Sequence, residues 1–376
     1  MRLPRVLIWL RRRWRGLAAV ALAAPAATTG AIAATLPEDR SELMFHSYDG
    51  GGVKATGPAV LVRKSLASRV SLSAGVYVDA VSNASIDVVT TASPFKETRN
   101  AYDLGAEFLV RDNIVSLGFN HSKEPDYVAQ TASVDVSQEV FGGMTTVALG
   151  FSRAADKVGQ RNTPGFFDKA THWQYRVGVT QILSPRWLAS ANFEIVADDG
   201  YLGSPYRAAR VFGAAVPERN PRTRTGRAIK LRTIHETGAL WSGSSLRAEY
   251  RYYWDTWAIK SSTWEIGGAK RFGERWIVDA SVRGHSQDKA LFFFDNAQAE
   301  TTYVSRNRQL STFTTTSFSA KASYEVRGLL PTGYEMKVAG VYELKRFRFK
   351  DFTDVRTGAP YRYDATVLQV LVSIAY

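Results

Sequence analysis

The sequence has no cysteine, four methionines and five histidines. Disulfides, thiolate zinc sites and cysteine nucleophiles are therefore excluded. Past the N-terminus no run reaches the roughly 20 apolar residues that a membrane-spanning helix needs. No Gly-rich phosphate loop, dinucleotide fingerprint or H-E-x-x-H pair is present. The histidines (His46, His121, His172, His235, His285) are scattered, so neither a metal site nor a cofactor is expected. The basic residues beyond the N-terminus are dispersed among acids, a pattern that argues against nucleic acid as a partner.

Aromatic residues are abundant: 9 Trp, 17 Tyr and 19 Phe. That many large apolar groups require burial in protein or lipid, which argues against disorder. The formal charge of +13 is concentrated at the start, where six arginines precede Leu17. Without the acid-free residues 1–34 it falls to +7. A basic stretch, an Ala-rich apolar core over 16–24 and a small-x-small site at Ala31-Ile32-Ala33 form a secretory leader. We expect 1–34 to be a cleaved signal peptide and 35–376 one unit. The Arg12-Arg13 pair hints at twin-arginine export, but its neighbours fit poorly. A barrel that crosses the inner membrane unfolded favours the general route.

From about residue 40, runs of about 10–14 residues alternate apolar and polar side chains. Strands point successive side chains to opposite faces, so each run has one apolar and one polar face. Short connections near 66–69, 111–113, 141–143, 184–186, 241–244, 272–275 and 327–333 carry turn residues. They alternate with longer ones near 81–100, 158–170, 199–226, 288–310 and 351–362. This rhythm predicts an all-β fold, a transmembrane antiparallel up-and-down barrel of about sixteen strands (otherwise fourteen). Short turns would face the periplasm and long loops the exterior. The predicted location is the outer membrane of a Gram-negative bacterium.

The faces follow from the alternation. Leu246, Ala248, Tyr250, Tyr252 and Trp254 oppose Arg247, Glu249, Arg251, Tyr253 and Asp255. An Arg or Lys facing lipid at the midplane costs about 2–4 kcal/mol, so the charged rows face inward. Tyr102, Trp173, Tyr175, Trp187, Trp254, Trp257, Trp264, Trp276 and Tyr376 are candidates for interfacial girdles. In the last run Leu368, Val370, Val372, Ile374 and Tyr376 alternate, ending on an aromatic. That pattern resembles the signal read by the barrel-assembly machinery, an expected partner during biogenesis alongside outer-membrane lipid.

Several stretches carry a family resemblance. They are His46-Ser47-Tyr48-Asp49-Gly50-Gly51-Gly52, Val60-Leu61-Val62-Arg63-Lys64, the segment 85–95 (SIDVVTTASPF), Tyr250-Arg251-Tyr252-Tyr253-Trp254-Asp255-Thr256-Trp257, Glu265-Ile266-Gly267 and Gly273-Glu274-Arg275-Trp276. Over roughly 40–376 the chain resembles the domain of unknown function 3570 family of exported bacterial proteins. The resemblance implies a barrel-like protein without an assigned activity. It also implies an envelope redox context with a periplasmic partner, since members look as though they sit beside genes for a flavin-attaching transferase and a thioredoxin-like protein.

Catalysis is not expected. His285-Ser286 lacks the surroundings of outer-membrane phospholipases, and Asp198-Asp199 reads as solvated loop acids rather than a protease pair. The lumen remains. Arg176, Lys230, Arg232, Arg247, Glu249, Arg251, Asp255, Glu265, Asp279, Arg283, Lys321 and Glu325 are candidate lining or selectivity residues. Charged rings can set selectivity, and the excess of base near 227–251 favours anions. Apolar side chains in a loop are costly in water, so 85–95 (Ser85, Ile86, Asp87, Val88, Pro94, Phe95) is expected to fold inward as a constriction or plug, or else to form an external contact patch for a partner protein. The long basic loop 199–226 suits an anionic leaflet. Two functions follow: a passive or gated pore for small polar or anionic solutes, or a non-transporting scaffold barrel for a partner in an envelope redox assembly.

Overall fold

The computed structural model describes residues 34–83, 95–160, 163, 165–238 and 242–376. The expected leader lies outside them apart from Ala34, as do Ser85, Ile86, Asp87, Val88 and Pro94 of the expected plug. The strands are β1 (Arg40–Gly50), β2 (Val53–Leu66), β3 (Val70–Asn83), β4 (Phe95–Val110), β5 (Asn113–Lys123) and β6 (Tyr127–Val140). Then come β7 (Thr145–Gly159), β8 (Phe167–Ser184), β9 (Trp187–Gly200), β10 (Ala208–Val211), β11 (Ala214–Pro217) and β12 (Thr223–Glu236). The chain ends with β13 (Ser244–Asp255), β14 (Lys260–Phe272), β15 (Trp276–Gln287), β16 (Phe313–Val326), β17 (Glu335–Thr353) and β18 (Pro360–Ala375). All but β10 and β11 form one closed antiparallel barrel in chain order, with β18 pairing β1. The barrel therefore has sixteen strands, and the expectation of an all-β up-and-down barrel is met. Closure leaves no unpaired sheet edge, the condition under which strands can cross lipid.

Alternation places the residues as expected. Leu246, Tyr250, Trp264 and Ile266 are exposed on the outer face, while Arg247, Glu249, Arg251 and Glu265 are half-buried inside. The first hairpin turns on Gly51-Gly52, both at positive φ (60° and 79°), as a two-residue turn of this hand requires. At the seam, Leu43 and Phe45 of β1 lie opposite Val372 and Val370 of β18 on the outer face. The Tyr376 amide bonds Asp39 O (3.1 Å), and the Lys64 ammonium lies 4.8 Å from the Tyr376 ring centroid. Hydrogen bonds from Lys64 and Ser65 hold the Asp39 carboxyl down at about 2.

Strands run further than the sequence suggested. β8 has 18 residues and β17 has 19, against the roughly 9–11 that cross a bilayer. The connections at that rim shrink accordingly. The expected loop 81–100 reduces to 84–94: Val81 pairs with Glu97, Asn83 with Phe95, and Phe95 opens β4. The expected loop 199–226 reduces to 201–222 and contains the β10–β11 hairpin. Trp257 is not a girdle residue. It is 3% exposed and faces inward, because Asp255 Oδ1 accepts from the Trp257 and Ile259 amides (2.9 and 3.0 Å) and Ala258 turns at φ 64°.

Candidate lumen and mouth plug

Most of the expected lumen residues pair with groups of opposite charge along the inner wall. Arg176 bonds Asp135 of β6 and Gln174 (2.9 Å), and Gln174 donates to Glu194 (2.9 Å). Glu194 pairs with Arg251 at 3.6 Å, and Lys230 with Glu249 at 2.9 Å. Arg247 bonds Asp279 (Nη2 to Oδ1, 2.9 Å) and approaches Glu265 (3.7 Å), which also faces Arg283 (3.8 Å). Placing a charge on the wall without a partner would be costly, and pairing lowers that cost. Arg232 stands opposite Glu249 and Lys321 opposite Asp279 in register, but neither makes an ion pair among the described residues. Glu325 lies apart, at the rim of short turns, bonded to Arg327 at 2.8 Å.

Nearer the loop rim a second belt runs along the wall, which sequence reasoning missed in large part. His46 shares a 2.6 Å hydrogen bond with Asp79, which also faces Arg99 at 3.7 Å. His172 sits between Asp198 (2.7 Å) and Asp156 (3.1 Å). Arg224 bonds Asp255 (Nε to Oδ2, 2.7 Å), and Tyr253 donates to the same oxygen (2.8 Å). Cross-strand spacing of acids and bases was the available signal, but it needs the register that only the folded sheet supplies. His285 shares a 2.8 Å bond with Thr263, while Ser286 lies opposite Ser262 on the next register position. Among the described residues, no group of three or more His, Asp or Glu is placed to hold a metal ion.

The mouth is filled by residues 288–312, the connection from β15 to β16. Its ends close on each other through the Ala290 amide and Leu310 O (2.8 Å), and its arms pair through Phe294 N to Ser305 O (3.0 Å) and Ser305 N to Phe292 O (2.9 Å). Phe292, Phe293 and Leu310 are buried in one apolar cluster with Tyr48, Val53, Phe347, Phe349, Phe352 and Tyr361. The cluster also contains Ala170 of β8, nearly half-way round the barrel from β1, so apolar packing bridges the mouth. Phe292 meets Trp257 edge-on with centroids 4.9 Å apart.

Two arginines complete the seat. Arg306 lies 4.4 Å over Phe352 and donates to Thr353 O (2.6 Å). Arg308, in a short 3-10 turn (Arg308–Leu310) capped by Asn307, lies 5.6 Å from the Tyr361 ring and 5.3 Å from the Tyr363 ring. The β10–β11 hairpin packs on top. Phe212 N bonds Ala297 O (2.9 Å), and Arg219 and Val304 exchange two bonds of 2.9 Å. The 201–222 connection is thus tied to the plug.

A family model described as "Protein of unknown function (DUF3570)" matches residues 17–339. A solved bacterial polysaccharide outer membrane secretin is similar in fold, with TM-score 0.51 at 9% identity, covering 90% of this chain and 99% of that one. The siderophore receptor PirA from Pseudomonas aeruginosa matches at 9% identity and TM-score 0.43, over 90% of this chain and 81% of that one. A FadL homologue from the same organism matches at 13% identity and TM-score 0.40, over 90% of each chain. At such identities the likeness concerns the barrel fold alone. No curated protein matches.

Proposed function

Since the chain belongs to the family described as Protein of unknown function (DUF3570), we propose its function from the barrel itself: a gated conduit for small polar solutes across the bacterial outer membrane. The observation that carries this reading is the plug, a loop folded across the mouth of a barrel whose wall is polar and charge-paired. Burial of Phe292, Phe293 and Leu310 supplies roughly 5–9 kcal/mol in total, offset in part by ordering the loop. The mouth is therefore closed at rest and opens when something displaces the plug.

The open passage favours anions. Arg232 and Lys321 lack an ion pair among the described residues, whereas Arg176, Lys230, Arg247, Arg251 and Arg283 are each matched by an acid. Single-channel recording of the intact chain and of a chain with the plug shortened tests the reading. A scaffold without transport would conduct in neither.

A further inference from the structure

The seat of Arg308 is unusual for the inside of a membrane barrel. Barrel interiors are polar, yet here β17 and β18 turn a sheet of rings inward. Phe347 and Tyr363 stack at 4.5 Å, Phe349 lies 5.6 Å from Tyr361, and Tyr361 lies 5.5 Å from Tyr363. The electron-rich faces of such rings attract cations, most strongly where water is excluded. Arg308 is 4% exposed among them, and its Nη1 reaches the Tyr361 hydroxyl at 3.5 Å. Burying a guanidinium carries a desolvation penalty, which the ring faces and the Tyr361 hydroxyl help to offset. The choice of a cation matches the chemistry of the rings. Nor does Arg308 fill the space: a cavity of about 40 Å³ remains beside it, lined by Tyr48, Phe347, Phe349 and Tyr363. That is room for a few methyl groups.

We propose that this ring cluster is a recognition site for an organic cation, of the guanidinium or quaternary ammonium class, and that Arg308 occupies it as a resident surrogate while the mouth is closed. The inference rests on the gated reading above. It makes the plug self-inhibitory, because a free cation and Arg308 compete for one seat.

The test is titration calorimetry of methylguanidinium and of tetramethylammonium into the detergent-solubilised full chain. Wild type is compared with Arg308→Ala and with Arg308→Ala/Tyr361→Leu/Tyr363→Leu. Each is first checked for the heat-modifiable gel mobility of a folded barrel, with Arg308→Met as the substitute if the alanine variant does not fold. The expected result is saturable binding to the Arg308 variant that is at least tenfold weaker in wild type and in the triple variant. Equal binding to all three, or none to the folded Arg308 variant, overturns the proposal. Conductance is scored separately. If Arg308→Ala binds the cation but removing the plug leaves conductance unchanged, the gate is wrong and the cation site stands.

Discussion

Glu124 carries a pH signature of its own. It lies in the short connection between β5 and β6, outside the membrane-crossing strands, and its Oε2 has no hydrogen-bond partner among the described residues. Burial lifts its carboxyl from 4.5 to about 7; Arg99 pulls the other way, and Glu97 and Asp126 add to the rise. Between those values the folded chain holds a proton that the unfolded chain has released. Stability therefore falls as pH rises from about 4.5 to about 7 and levels off above. Glu124→Gln is expected to flatten that slope and to stabilise the barrel at pH 8 by on the order of 3 kcal/mol, read from urea unfolding in micelles. An unaltered slope would remove Glu124 as its source. A second residue-scale expectation concerns charge. Arg232→Glu with Lys321→Glu should move the reversal potential of a plug-shortened barrel toward cation preference, and an unmoved potential counts against anion selection. Both cations were legible from alternation, because a period of two fixes the face. Trp257 was not, since an aromatic at a strand end suits either the interface or the lumen. The turn held by Asp255 decides between them.

Among the elements, the connection 288–312 is the one whose role the sequence left open. It holds the run Leu291-Phe292-Phe293-Phe294, apolar residues in a loop, which is the same signal that drew the expectation to 85–95. What the sequence could not supply is the partner surface. The inward rings of β17 and β18 and the Trp257 turn meet 288–312 only after closure brings distant strands together. Most strand positions were legible because alternation and turn residues are local. Strand ends were not, because pairing above the membrane depends on the neighbour's length. Phe293 is 1% exposed at the centre of the plug. A buried Phe→Ala change costs about 3–5 kcal/mol. With Phe293→Ala, protease cleavage within 288–312 should accelerate at least tenfold while the barrel keeps its heat-modifiable mobility. Cleavage at the wild-type rate would mean that the loop is not held by this contact.

At the scale of the whole molecule, three features combine: a closed sixteen-strand wall, a charge-paired interior and a mouth bridged from β1 to β8 by one apolar cluster. On the proposed reading the first two give a passage and the third a stopper. The 201–222 connection adds a lid over the stopper through its bonds to Ala297 and Val304. The measurement that bears most directly on this account is single-channel conductance in planar bilayers, comparing the intact chain with one in which 291–309 is replaced by a short Gly-Ser linker. The account predicts small or rare openings for the intact chain and a several-fold larger, sustained conductance for the shortened one. Equal conductance in two folded proteins would contradict it.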